Sequence, residues 1–399
     1  MGLNDTVSAE RVHIGFFGLR NAGKSSVVNA VTNQELSVVS DVKGTTTDPV
    51  KKAMELLPIG PVVIIDTPGI DDEGYLGEKR VEKTQEILAK TDVAILVVDA
   101  TKEKSEQDEE LINEFKRRNL PYIVVFNKSD ILEKSIALGE NEILVSAQTR
   151  ENIEELKEKI GSLSKSKGES KYIVYDLIEK GDLVVLCTPI DESAPKGRLI
   201  LPQQLTIRDI LDCNAVCITC QDTELKETLE KFSVKPKLVI TDSQVFGKVS
   251  KIVPDDIMLT SFSILMARYK GDLNTLVNGA IRLKNIKDGD KILISEGCTH
   301  HRQCNDIGTV KIPGWIRDFT GAEPEFMFTS GGEFPKDLTG ISLIVHCGGC
   351  MLNEKEMKNR MNIAAAQNVP MVNYGVAIAQ MHGILKRSLE VFQEYKDII

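Results

Sequence analysis

Hydrophobic and polar positions along the chain follow two alternating rhythms. The short apolar runs His13–Phe17, Val62–Ile65, Tyr122–Phe126 and Ile143–Val145 have the length and composition of strands. Between them lie stretches with helical spacing, the first over Ser25–Val31. Strands alternating with helices through residue 160 predict a mostly parallel sheet covered by helices. Residues 161–170 are polar and rich in Gly, Ser and Lys, and read as a linker. A second α/β layer follows, with strands over Leu183–Thr188, Ala215–Cys220 and Leu238–Thr241 and helices over Pro202–Leu211, Glu224–Phe232 and Met258–Tyr269. It carries no evident catalytic set, which points to an architectural, dimerising role. A third unit begins near Gly271, with strands over Asp290–Ser295, Leu343–Val345 and Val369–Tyr374 and a helix over Glu354–Gln367. The pattern predicts an α/β chain of three domains, at 1–165, 172–270 and 271–399.

The first strand runs straight into Gly18-Leu19-Arg20-Asn21-Ala22-Gly23-Lys24-Ser25, a complete phosphate-binding loop of the form G-x-x-x-x-G-K-[ST] that opens a helix. Backbone N–H groups over Gly18, Asn21, Ala22, Gly23 and Ser26 surround phosphates, Lys24 reaches the β- and γ-phosphates, and the Ser25 hydroxyl ligates Mg²⁺. Asp66-Thr67-Pro68-Gly69 ends a second strand: the carboxylate serves Mg²⁺, and the Gly69 N–H senses the γ-phosphate. Asn127-Lys128-Ser129-Asp130 ends a third. The Asp130 carboxylate accepts from N1–H and the 2-amino group of guanine, a donor pair that adenine lacks. Ser146-Ala147 ends a fourth and suits a backbone contact to the guanine oxygen. Four motifs in this order, each at a strand's carboxyl end, predict a P-loop GTPase domain with two smaller α/β domains behind it.

Composition narrows this further. Hydrophobic residues make up 42% and charged residues 27% of the 399 residues, ordinary for a globular chain with real cores. Lys+Arg 49 against Asp+Glu 59 gives a net charge of −10, which argues against bulk nucleic-acid binding. The longest apolar runs, such as Val93–Val98, are far shorter than a membrane span, and no secretory signal is visible, so the chain reads as cytoplasmic. In that compartment its 8 cysteines suggest metal binding or catalysis rather than a disulfide framework.

Seven of those cysteines fall into two groups. Cys298-Thr299-His300 and His346-Cys347-Gly348-Gly349-Cys350 each lie just past a strand end, so two loops can converge on one site. Soft thiolates with nearby imidazoles suit either Zn²⁺, as Cys₃His, or an iron–sulfur cluster with one iron left open; Cys304 could replace a histidine. Cys213, Cys217 and Cys220 match the spacing C-x₃-C-x₂-C, but Ala215–Cys220 reads as a strand, whose alternation sends Cys217 and Cys220 to opposite faces. They read as core thiols. His13 and His382 read as packing residues, and Trp315, in a Pro-Gly-Trp turn, as core or interface.

The nucleotide motifs resemble those of the TrmE–Era-type GTPases. That resemblance implies a switch I at Gly44-Thr45-Thr46-Thr47-Asp48 in which Thr46 ligates Mg²⁺, and an activating K⁺ at Asn21. Ile70 stands where Ras-like proteins place a water-orienting Gln, so basal hydrolysis by Lys24, Thr46, Asp66 and Gly69 is expected to be slow. A GTPase joined to C-x-H and H-C-x-x-C, with 45 residues between His300 and His346, resembles the HydF family of iron-only (FeFe) hydrogenase maturation over essentially the whole chain. The resemblance implies a [4Fe–4S] cluster on Cys298, Cys347 and Cys350, with an exchangeable fourth ligand for which His300 and His346 are candidates. It also implies a dimer or higher oligomer that accepts a transient di-iron precursor from the radical-SAM maturases HydE and HydG and delivers it to apo FeFe hydrogenase. The residues alone leave a second reading open: a GTP-switched RNA, ribosome-assembly or regulatory protein with a structural zinc.

Overall fold

The computed structural model describes residues 10–34, 50–67, 83–132, 136–165, 171–190, 199–297 and 306–395. Two compact units divide the chain, one spanning Asn4–Glu169 and the other Ser170–Ile399.

The first unit is built on a six-stranded sheet: β1 Val12–Phe17, β2 Val50–Leu56, β3 Gly60–Asp66, β4 Val93–Asp99, β5 Tyr122–Asn127 and β6 Glu142–Val145. Its order is β2-β3-β1-β4-β5-β6, and every pair is parallel except β2–β3. The alternation of strands and helices predicts this mostly parallel sheet. Phe16 and Phe17, adjacent in sequence, are both fully buried but belong to separate hydrophobic clusters, because helices cover both faces. β2, with sequence VKKAMEL, is absent from the apolar pattern, since a lysine-bearing edge strand has little apolar signal. The helix Glu106–Arg117 starts where Ser105 accepts from the Asp108 N–H at 3.1 Å and Asp108 accepts from the Ser105 N–H at 2.9 Å, a reciprocal cap.

The second unit holds two four-stranded parallel sheets. The first contains β7 Leu183–Cys187, β8 Val216–Cys220, β9 Leu238–Thr241 and β10 Met258–Ser261, in the order β10-β9-β7-β8. The other contains β11 Lys291–Ser295, β12 Glu325–Thr329, β13 Ile341–His346 and β14 Met371–Asn373, in the order β12-β11-β13-β14. One continuous hydrophobic core, from Ile173 to Tyr395, runs through both sheets. The helix expected over Met258–Tyr269 is instead a strand and a helix. Met258–Ser261 pairs with β9, and Ser261 then caps the helix Phe262–Lys270 by accepting from the Ile264 N–H at 3.3 Å. A short apolar run next to a helix shows no change of period, and only the Ser marks the junction.

Candidate functional site

The phosphate loop leaves β1 between β3 and β4, where the chain's path across the sheet reverses, which is where an open α/β sheet offers a crevice. Asn21 and Gly23 adopt left-handed backbone, at φ 62° and 82°. A Cβ at residue 23 would also lie 2.2 Å from the Asn127 Nδ2, so a glycine is required there on both counts. The helix Lys24–Thr32 starts directly behind it. Lys24 is buried, its Nζ 3.8 Å from the Asp66 Oδ1, and the Ser25 Oγ donates to the Asp66 Oδ2 at 3.1 Å. The Asp66 Oδ1 is buried and, beyond its ion pair with Lys24, has no hydrogen-bond partner, which leaves it room for a metal ion. A hydroxyl, a carboxylate and an unsatisfied buried oxygen form a hard donor set that fits Mg²⁺. Thr46 and Gly69 lie outside the described residues.

On the guanine side, Asn127 joins two loops. Its Nδ2 donates to the Ala22 O at 3.2 Å, and its Oδ1 accepts from the Ala147 N–H at 3.0 Å. Asp130 is held by the Ser146 Oγ, which donates to it at 2.6 Å. Lys128 leaves β5 in left-handed backbone at φ 75° and reaches the Asp99 Oδ2 at 2.5 Å. Burial pushes the Asp99 carboxyl up, but hydrogen bonds from Lys128 and Thr101 more than reverse this and hold it below the usual range. Asp99 carries no motif signal, and Thr67 lies in the Asp66-Thr67-Pro68-Gly69 motif without a role assigned to its side chain. Yet the Thr67 Oγ1, donating to the Phe16 O at 2.7 Å, fixes the chain after Asp66 to β1. Asn21 is exposed and Ser26 half-buried at the same loop.

The second site rests on two adjacent strand ends. β11 and β13 pair in parallel with Ser295 opposite His346, so the loops after them leave side by side. They meet at a sulfur: the Gly297 N–H donates to the Cys347 Sγ at 3.0 Å, and the Gly349 N–H does so at 3.4 Å. Two backbone donors on one sulfur favour its thiolate form, the form that ligates metal. Gly297 directly precedes Cys298. Cys298, His300, His301 and Cys304 lie outside the described residues, and among the described residues no three His, Cys, Asp or Glu side chains are gathered around one point. Burial pushes the Cys350 thiol up, with the Lys270 ammonium acting the other way.

His346, the last residue of β13, directly precedes Cys347 and is fully buried. The Arg360 guanidinium donates to its Nε2 at 3.0 Å, which assigns the ring proton to Nδ1, and Nδ1 donates to the Cys347 O at 2.7 Å. Both ring nitrogens are thereby engaged inside the fold, and His346 as placed offers neither to a cluster. Arg360, 1% exposed, also reaches the Gly331 O at 2.6 Å and the Glu356 Oε1 at 3.1 Å, and lies over the Phe334 ring. Apart from Glu356, one helical turn away, its contacts come from Gly331, Phe334 and His346, which no local pattern links to it.

The remaining cysteines lie elsewhere. The Cys213 Sγ faces the Ile178 O at 3.5 Å, at the end of the helix Leu201–Asp212. Cys220 is opposite Cys187 across β7 and β8, and its thiol, together with burial, pushes Cys187 up. Cys217 packs against the core.

Comparisons with known proteins follow the same division. Residues 13–128 match the family profile described as 50S ribosome-binding GTPase. Residues 173–271 match the hydrogen maturase F dimerization domain, and residues 274–391 match the hydrogen maturase F tetramerization domain. Der of Wolinella succinogenes is 38% identical over 165 residues, covering 37% of this chain and 35% of that protein. The tRNA modification GTPase MnmE of Clostridioides difficile is 36% identical over 154 residues, covering 37% and 33%. The chain thus spans about a third of the length of these curated relatives. Era of Aquifex aeolicus, solved with GDP·AlF4⁻, is 21% identical with a TM-score of 0.35, covering 52% of this chain and 92% of that one. A GTPase domain is common to many proteins, but two successive hydrogen maturase F domains behind it are specific, and the chain belongs to the HydF family.

Proposed function

We propose that the chain is a GTPase and iron–sulfur scaffold that carries a di-iron subcluster to apo FeFe hydrogenase. The observation that carries this reading is the meeting of two strand-end loops at the Cys347 sulfur, within a HydF-family chain that also holds an ordered guanine-nucleotide site. Lys24 and the loop backbone bind phosphates; Ser25, Thr46 and Asp66 hold Mg²⁺; Asn127 and Asp130 orient guanine through Ala147 and Ser146. Gly69 senses the γ-phosphate. Hydrolysis is slow because Ile70 stands in the sequence where Ras-like proteins place a water-positioning Gln, and K⁺ at Asn21 accelerates it. Equal turnover in Na⁺ and K⁺ buffers would remove the K⁺ part of the reading.

Cys298, Cys347 and Cys350 hold a [4Fe–4S] cluster, which supplies an open iron position when bound. The protein's contribution is to fix the loops, keep Cys347 as a thiolate and leave the mouth accessible. His300 is the candidate fourth ligand, while His346 is a support for the loop. Residues 172–270 dimerise the chain and residues 271–399 hold the cluster and extend the assembly. HydE and HydG supply the precursor. The test is a reconstituted maturation mixture: wild type is expected to activate apo-hydrogenase, and Cys347→Ala to leave it at background. Activation by the variant at the wild-type level would overturn the scaffold role.

A further inference from the structure

β7 and β8 run in parallel with Cys187 directly opposite Cys220, each the last residue of its strand. The Thr188 N–H donates to the Cys220 O at 2.9 Å, so the ladder continues past the pair and holds both cysteines in register. Neighbouring strands lie about 4.7–4.9 Å apart, and paired residues point to the same face. A disulfide spans Cα atoms about 4.4–6.8 Å apart, so the spacing of the pair falls within the range that such a bond bridges. The two thiols are already hydrogen-bond partners. Their surroundings differ. Cys187 is fully buried, whereas Cys220 is partly exposed on an edge strand. The hydrogen bond from the Cys187 thiol, with a lesser one from Thr228, outweighs burial and lowers Cys220, while Cys187 is pushed up. Cys220 is therefore the sulfur that carries negative charge, and Cys187 keeps its proton. Cys217 stands three residues before Cys220, on the other face of β8, and Cys213 faces the Ile178 O, so neither competes for the pair.

We infer that Cys187 and Cys220 form a redox-responsive pair, a modification site for low-molecular-weight disulfides in which Cys220 attacks and Cys187 resolves. The Cys220 thiolate attacks one sulfur of the small disulfide, forming a mixed disulfide and expelling one thiolate. Cys187 then gives up its proton and attacks the Cys220 sulfur, which closes the Cys187–Cys220 bond and expels the second thiolate. Counted from two thiols, the chain loses two electrons and two protons, and the small disulfide is reduced to two thiols. The new bond staples the edge strand β8 to β7 within the segment matched to the dimerization domain. In a reducing compartment such a bond is a transient, sensing one rather than a fixed staple. The inference rests on neither the nucleotide site nor the cluster reading.

The test uses the full chain, prepared anaerobically with its thiols reduced and then exposed to oxidised glutathione. The protein is unfolded in the presence of iodoacetamide and digested with trypsin for mass spectrometry. The expected result is loss of alkylation at Cys187 and Cys220, with a peptide pair joined through them that is two hydrogens lighter than the sum of its parts. Dithiothreitol is expected to restore both thiols. Cys187→Ser is expected to keep glutathione on Cys220, since nothing resolves the mixed disulfide, and Cys220→Ser to collect none on Cys187. Cys217→Ser is expected to link as the wild type does. A wild type alkylated at both Cys187 and Cys220 after exposure, or linked through Cys217 instead of Cys220, would overturn the proposal. Glutathione on Cys187 in Cys220→Ser would contradict the order of attack. Should both Cys187→Ser and Cys220→Ser fail to fold, the wild-type and Cys217→Ser maps still decide whether the pair links.

Discussion

Buried and engaged at both ring nitrogens, His346 is a base that folding keeps neutral. Burial and then the Arg360 guanidinium lower its pKa from 6.5 to about 3. Between those values the unfolded chain binds a proton at this residue and the folded chain does not. Stability therefore falls as pH falls through that window, by about 1.4 kcal/mol per pH unit at most, and is fully present above about 6.5. The metal-free protein, followed by the fluorescence of its single Trp315, is expected to lose urea resistance between pH 7 and pH 5. His346→Gln, which still accepts from Arg360, should flatten that decline. An equal decline in both proteins would show that His346 is not the titrating group. The sequence placed His346 beside the cysteines but could not say which way it faces. Its partner Arg360 is on the next helix, and that helix is oriented only by the completed fold. Residues in the phosphate loop were legible for the opposite reason: their partners are a few positions away or at fixed strand ends, so spacing encodes geometry.

Burial explains part of which elements were legible, although the edge strand β8 was named despite its exposed Val216. Central strands such as β4, with every residue from Val93 to Val98 buried, stand out as apolar runs. The edge strands β2 and β12 pair on one side only, and β12 has exposed Met327 and Phe328; neither strand was visible in the pattern. β10 was absorbed into the helix behind it. One helix position carries a sharp packing constraint that no pattern shows. The helix Leu273–Arg282 lies so close to β14 that a Cβ at Gly279 would be 2.0 Å from the Met371 O. Gly→Ala in a helix ordinarily stabilises by up to about 1 kcal/mol. Here backbone must move, and Gly279→Ala is expected to destabilise by about 1–3 kcal/mol in urea unfolding, with Asn278→Ala on the exposed side near neutral. A stabilised Gly279→Ala protein would mean that this helix is not tied to β14.

At the scale of the whole chain, a nucleotide site and a thiol site sit in separate compact units, each at the carboxyl ends of a parallel sheet. Both families of motif were readable because such ends collect loops from several strands, so short fragments far apart in sequence meet there. Among the described residues no helix is long and apolar enough to cross a membrane. The loops after β11 and β13 are proposed to hold an iron–sulfur cluster. Its most direct test is anaerobic iron, sulfide and zinc analysis with EPR of the reduced protein, on wild type, Cys298→Ala and Cys347→Ala. About four irons and four sulfides per chain are expected, with a cluster signal lost in both variants. One zinc per chain without sulfide would contradict it and make the cysteine loops a structural metal site.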